Sequence, residues 1–395
     1  MKWENKLHEF DEEAKAYHDD NFQSKKIFIF GAGQLGKEFF EQVKSVCILD
    51  SFIDNDKKKQ GTTYCGRPVI SLQQYLSEKN TNALIVLCLK KEYYQVVKEQ
   101  LKKNSIQEEV SFVDRDEYIR RLRISLFYEK GILYIPLAQI SLTERCTLKC
   151  KKCAHACNFV RSNAADLSLQ DAKVSADYFF SYVDYIDEFV LIGGEPFLYN
   201  NLGEIIEYIG SHYRDKIRIF SITTNGTILP KSNILKLCSE YNMTIRVSNY
   251  SETLPWIAKK LEEFSKAAKV AGVKCIIGKS VNWTDYGFDY YSRGWNKKNM
   301  QQAFDDCNTP CHEVRKNRFY FCVMARSVSE NMGKDVGLGD FFDLSAREPM
   351  FDRKEFFEYS MGYSEKGYLD MCNFCHGADR VNYPVPAGEQ MSING

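Results

Sequence analysis

The chain has 395 residues, and its 53 Lys and Arg balance 53 Asp and Glu, for a formal net charge of zero. That length exceeds one domain of roughly 150 residues, and 44% hydrophobic with 27% charged content excludes wholesale disorder. Neutrality excludes broad binding to bulk nucleic acid, and the longest apolar run, Ala83 to Leu89, is far short of the ~20 residues that span a bilayer.

Glu4 to Asp19 reads as a charged helix with no apolar centre, which predicts no secretory signal and a reducing, cytoplasmic compartment. Lys26 to Phe30 reads as a strand that runs straight into Gly31-Ala32-Gly33-Gln34-Leu35-Gly36 and then a helix. Strand, GxGxxG and helix are the context of a dinucleotide fingerprint, so Gly31, Gly33 and Gly36 are candidates for cradling a phosphate. A second strand, Val46 to Ile53, ends at Asp54, 18 residues past Gly36, where an acid for a ribose is expected. Strands at 67–70, 83–89 and 110–113 alternate with helices near 72–76 and 92–103, the pattern of a parallel sheet. Residues 1–115 are therefore expected to form a truncated Rossmann-like domain for a nucleotide, a nucleotide-sugar or NAD.

Arg120, Arg121 and Arg123 lie in a basic stretch that predicts a solvated linker helix over 116–133. A second alternating series follows, with strands at 137–142, 188–192, 217–223, 243–248, 273–277 and 320–324. Its helices include 202–214, 233–241 and 256–271. The fold class is α/β. A Rossmann-like parallel sheet precedes a partial (β/α)6 barrel over 134–305, with its functional loops at the C-terminal strand ends. A small cluster-binding extension is expected over 306–395.

The count that stands out is 14 cysteines, too few for a disulfide scaffold in a chain this long. Cys146, Cys150 and Cys153 form CxxxCxxC directly after the first barrel strand. Three thiolates at this spacing fit three corners of a [4Fe–4S] cubane and leave the fourth iron open. Zinc, completed by His155 or Cys157, is the competing reading.

This segment resembles the radical SAM superfamily, and the resemblance extends along the barrel. Gly193-Gly194-Glu195-Pro196 matches the family's GGEP on the next strand, and Thr224-Asn225-Gly226 matches its TNG. Ser248 and Asn249 fall where the family makes polar contacts to S-adenosylmethionine (SAM). The resemblance implies that the glycines let the backbone approach SAM, that Glu195 accepts from its ammonium, and that Asn225 also contacts the cofactor. Lys152 departs from the family, which often has an aromatic there beside the adenine.

Cys311, Cys322, Cys372 and Cys375 resemble the Twitch form of the SPASM-type extension, which implies a second, auxiliary [4Fe–4S] cluster, with Cys307 a rival first ligand and structural zinc the alternative. Cys157 is the candidate for a catalytic thiol that returns a hydrogen atom, as in Twitch epimerases. The chain down to Pro384-Val385-Pro386-Ala387-Gly388-Glu389-Gln390 looks like radical SAM proteins associated with surface-polysaccharide gene sets. The expected reaction is therefore oxidation or epimerisation of a sugar, plausibly nucleotide-linked, with a flavodoxin or ferredoxin as electron donor. The alternatives are a peptide- or protein-modifying maturase and a non-catalytic Fe–S redox protein.

Overall fold

The computed structural model describes residues 25–78, 80, 82–161, 163–288, 292–307, 311–345, 349–362, 366–377 and 384–391. The expected helix at Glu4 to Asp19 lies outside them. The chain divides into two compact units, one over Asn5–Ile132 and one over Leu133–Gly395 together with Met1–Glu4.

In the first unit the order is β1 (Lys26–Phe30), α1 (Gln34–Val43), β2 (Leu49–Ile53), β3 (Thr63–Tyr64), β4 (Arg67–Ile70), α2 (Leu72–Ser77), β5 (Ala83–Leu87), α3 (Lys91–Lys103), β6 (Phe112–Asp114) and α4 (Arg115–Lys130). The sheet runs β3-β4-β2-β1-β5-β6. Its pairs are parallel except the short β3–β4 ribbon. Every residue of β5 is buried, as a continuous apolar run inside a parallel sheet should be. Gly36, Phe39, Phe40 and Val43 recur at helical spacing along α1 and form its buried face. Strand order reverses between β1 and β5, so their C-terminal ends flank a crevice of the kind in which open α/β sheets bind ligands.

Two expectations change here. The strand expected to begin at Val46 begins at Leu49. The helix expected to be a solvated linker is packed into this unit, because Tyr118, Ile119, Leu122, Ile124 and Leu126 are buried and even Arg123 is only 7% exposed. Its buried residues include the consecutive run 122–126 rather than a single helical stripe, so periodicity offered no apolar face to read. The unit boundary accordingly falls at residue 132 rather than 115.

The second unit carries β7 (Tyr134–Ser141), α5 (Leu169–Tyr182), β8 (Tyr185–Ile192), α6 (Leu202–Tyr213), β9 (Ile217–Thr224), α7 (Ser232–Glu240), β10 (Thr244–Asn249), α8 (Ile257–Val270), β11 (Lys274–Lys279), β12 (Asn282–Thr284), α9 (Lys297–Asp305), β13 (His312–Arg315), β14 (Arg318–Tyr320), α10 (Val323–Asn331), β15 (Phe342–Asp343), α11 (Pro349–Ser360) and β16 (Pro384–Pro386). One sheet runs β11-β10-β9-β8-β7-β13-β14-β15. From β7 to β11 each strand adds parallel to its predecessor on the same side, the progression of a partial β/α barrel.

The sixth parallel strand is not the one expected. It is β13, which pairs with β7 through His312 and Glu313. The segment read as one strand over 320–324 is instead the end of β14 followed by helix α10. The cysteine-bearing extension therefore continues the barrel sheet through β13, β14 and β15. A separate two-stranded ribbon joins β12 to β16, near the C-terminal end of the described chain.

Candidate active site

The loop after β7 is zipped to the exit of β8. Leu142 N–H donates to Ile192 O at 2.8 Å, Gly194 N–H to Thr143 O at 2.8 Å and Glu195 N–H to Arg145 O at 2.9 Å. A Cβ on Gly193 would run into the Thr143 carbonyl, and one on Gly194 into the Arg145 carbonyl. The two glycines are thus required by backbone approaching backbone. Both also line the cavity above the loop.

That cavity has a volume of about 440 Å³ and opens at the C-terminal strand ends. Cys146, Cys150 and Cys153 line it from the loop, Asn225 from the exit of β9 and Ser248 from β10. Asn225 Nδ2 donates to Thr147 Oγ1 at 3.1 Å and to Cys146 Sγ at 3.5 Å, tying the TNG turn to the cysteine loop. Burial pushes Cys146 up to about 11 and Cys150 up to about 12, so without a metal both stay thiols. Hydrogen bonding from Cys157 pulls Cys153 down to about 7.

Glu195 does not reach the cavity wall. It is fully buried, and it accepts from Thr224 Oγ1 at 2.8 and 2.9 Å, Asn225 N–H at 3.0 Å and Phe197 N–H at 3.2 Å. Burial pushes its carboxyl up to about 7 against those donors. Within the chain these bonds give Glu195 an architectural role: it fastens the end of β8 to the TNG turn. Pro196 is buried at the start of a short 3-10 helix. Asn249 turns its Oδ1 onto Ser251 N–H at 2.9 Å rather than into the cavity. Lys152 stands at the cavity edge, paired with Asp285 at 3.2 Å.

Cys157 lines the same cavity but is 2% exposed, and its proton is held by the interaction with Cys153 and by burial. Nearby Glu144 is buried against Arg326 at 2.8 Å, and Asn331 Nδ2 donates to it at 2.8 Å. Arg326, with no exposed side-chain surface, also pairs with Glu313 at 2.7 Å. This buried charge group, absent from the sequence reading, braces the cysteine loop from α10 and β13. Its members lie too far apart in sequence to register as a motif.

The donor set fits an iron–sulfur cubane: three soft sulfur ligands on one loop beside an open cavity. Among the described residues no three His, Cys, Asp or Glu converge closely enough to hold a single metal ion. The described cysteines of the extension sit on neighbouring elements without converging on one point. Cys311 opens onto β13, Cys322 caps α10, Cys372 lies in a short 3-10 helix and Cys375 follows it. Tyr286, Cys311, Cys322 and Cys375 pack against one apolar cluster, and Tyr286 also lines the main cavity.

In the first unit a second cavity of about 460 Å³ lies at the β1/β5 crevice, lined by Gly31, Gly33, Asp54, Lys59, Lys90 and Tyr93 among others. Gly31 has φ +119°, and a Cβ there would meet Cys88 O at 2.6 Å. Gly36 packs against the Gly31 carbonyl, whereas nothing crowds Gly33. Asp54 accepts from Ala32 N–H at 2.9 Å and pairs with Lys59 at 2.9 Å, so its carboxylate already holds the glycine loop. Among the described residues no helix is long and apolar enough to cross a membrane.

Residues 140–262 match the Radical SAM superfamily model, and residues 23–111 match the model described as C2185-like, N-terminal. The chain is 31% identical over 94 residues to GTP 3′,8-cyclase 3 of Mycobacterium bovis, covering 23% of this chain and 24% of that protein. It is 32% identical over 113 residues to the antilisterial bacteriocin subtilosin biosynthesis protein AlbA of Bacillus subtilis, covering 28% of this chain and 22% of that protein. The chain thus spans about a quarter of the length of the curated relatives it matches. The solved structure of BtrN in complex with AdoMet and 2-DOIA overlaps 62% of this chain and 94% of that one, at 14% identity and a TM-score of 0.41. A three-cysteine loop zipped to a double-glycine strand exit, together with the family match over the same segment, carries the assignment: residues 140–262 form a radical SAM superfamily domain.

Proposed function

We propose that the protein is a radical SAM enzyme that removes a hydrogen atom from a carbohydrate-type small molecule, plausibly a nucleotide-sugar, for oxidation or epimerisation. The observation that carries this reading is the cavity shared by Cys146, Cys150, Cys153, Asn225 and Ser248 at the C-terminal edge of a parallel sheet. The three thiolates would hold a [4Fe–4S] cluster with SAM on its open iron, and that pair supplies reductive C–S cleavage and a carbon radical. Gly193 and Gly194 let the β8 exit lie flat against the loop, Asn225 steadies Cys146, and Ser248 offers a polar contact to the cofactor. The enclosing wall, which includes Trp283 and Tyr286, keeps water from the reacting carbon.

An auxiliary cluster at Cys311, Cys322, Cys372 and Cys375, with Cys307 in reach, would accept the electron left by an oxidation. Cys157 is our candidate for the thiol that returns a hydrogen atom should the outcome be epimerisation. The sugar reading is supported by the first unit, whose glycine loop and lysines surround a cavity at the strand-order reversal, the position for a phosphorylated ligand. A second reading, peptide modification, is favoured by the likeness to AlbA. A peptide substrate usually calls for a winged-helix leader-binding module, and a parallel sheet occupies the N-terminal region instead.

Anaerobically reconstituted, reduced protein is expected to form 5′-deoxyadenosine, and a Cys146→Ala, Cys150→Ala, Cys153→Ala variant none. Cleavage persisting in that variant refutes the site. In a turnover screen, stimulation by UDP- or GDP-sugars supports the sugar reading, and stimulation only by peptides replaces it.

A further inference from the structure

The residues after β16 carry no motif, yet they brace the cysteine loop. β16 leaves its pairing with β12, and Ala387 N–H donates to Val281 O at 2.9 Å. The chain then turns at Gly388, whose φ is +77° and whose Cβ position lies 3.0 Å from the Tyr250 side chain, so only glycine fits. From there it runs antiparallel to the loop, with a bridge between Cys150 and Gln390. Lys151 N–H donates to Glu389 O at 2.7 Å, and Met391 N–H donates to Lys149 O at 2.7 Å. Lys151 pairs with Glu389 at 2.6 Å across the same ribbon.

The Gln390 amide engages its oxygen and both of its N–H groups. Its Oε1 accepts Lys149 N–H at 2.7 Å, while Nε2 donates to Gly388 O at 2.6 Å and to Cys150 Sγ at 3.3 Å. The orientation is fixed by chemistry: the oxygen faces an N–H, and the nitrogen faces a carbonyl and a sulfur. We infer that Gln390 is a positioning residue for Cys150, and that residues 384–391 are a strap joining the cavity wall at β12 to the cysteine loop. An N–H donated to a ligand sulfur stabilises the more negative, reduced state of a cluster, so the strap raises its reduction potential as well as fixing its geometry. This second part rests on the cluster reading above.

Gln390→Met keeps length and volume but removes both donor and acceptor. In the iron-free full chain, amide exchange of the 148–152 segment should accelerate roughly tenfold, the loss of about one hydrogen bond. The amides of β8 and β9 should keep their protection and so report that the variant is folded. Unchanged exchange at 148–152 overturns the strap whatever the cluster does. In reconstituted protein, redox titration of the paramagnetic signal that responds to added SAM should show a lower midpoint in Gln390→Met. A wild-type midpoint there overturns the positioning role of Gln390. Wild-type protein without any SAM-responsive signal would instead sink the cluster reading, leaving the exchange experiment to decide the strap.

Discussion

At the scale of single residues, the double glycine and Glu195 show motif residues doing structural work. Gly194→Ala would push a methyl group into the Arg145 backbone carbonyl, which cannot move without tearing the loop from β8. Overpacking of this kind costs about 1–3 kcal/mol, so a lower melting temperature and reduced iron uptake are expected, measured by calorimetry and iron assay. Glu195 has its carboxyl raised to about 7 by burial, against an ordinary value of 4.5. Between those values the folded chain keeps a proton that the unfolded chain has lost, so the contribution of this group to stability falls as pH rises from 4.5 to 7. Glu195→Gln should flatten that part of the profile by roughly 3 kcal/mol in iron-free protein. Parallel pH profiles for the two proteins would show that Glu195 is ionised throughout.

Elements are held by charges that no motif announces. Arg326 on α10 sits with Glu313 of β13 at 2.7 Å and Glu144 of the cysteine loop at 2.8 Å, and both Arg326 and Glu313 are fully buried. Arg326→Met would remove the cation that two buried carboxylates share, leaving Glu144 only Arg315 at 3.8 Å, and should destabilise the fold by about 3–5 kcal/mol. Adding Glu313→Gln should return part of the loss, because the two sites share one interaction. Additive losses in denaturant titrations would show that the pair is not coupled. The same element scale exposes the misread helix α4. Its arginines suggested a solvated linker, but Tyr118, Leu122 and Leu126 bury one face and Arg123 follows them inward.

For the whole molecule, two cubanes predict about eight iron atoms per chain after anaerobic reconstitution. Replacing Cys372 and Cys375 by Ala should halve that while SAM cleavage survives; four irons in the unaltered protein would remove the auxiliary cluster. The sequence by itself determined the cysteine loop, the glycine pair, the TNG turn and the alternation of strands with helices. Each depends on neighbours along the chain: a ligand spacing, a tight turn, an apolar run. Only the tertiary structure decided that β13 rather than a later strand joins β7, that Glu195 faces inward, that Arg326 braces Glu144, and that Gln390 reaches Cys150. Those contacts join residues up to 240 positions apart. Their partners are chosen by burial and by the need of every buried polar group for a counterpart, and that need leaves no local pattern to read.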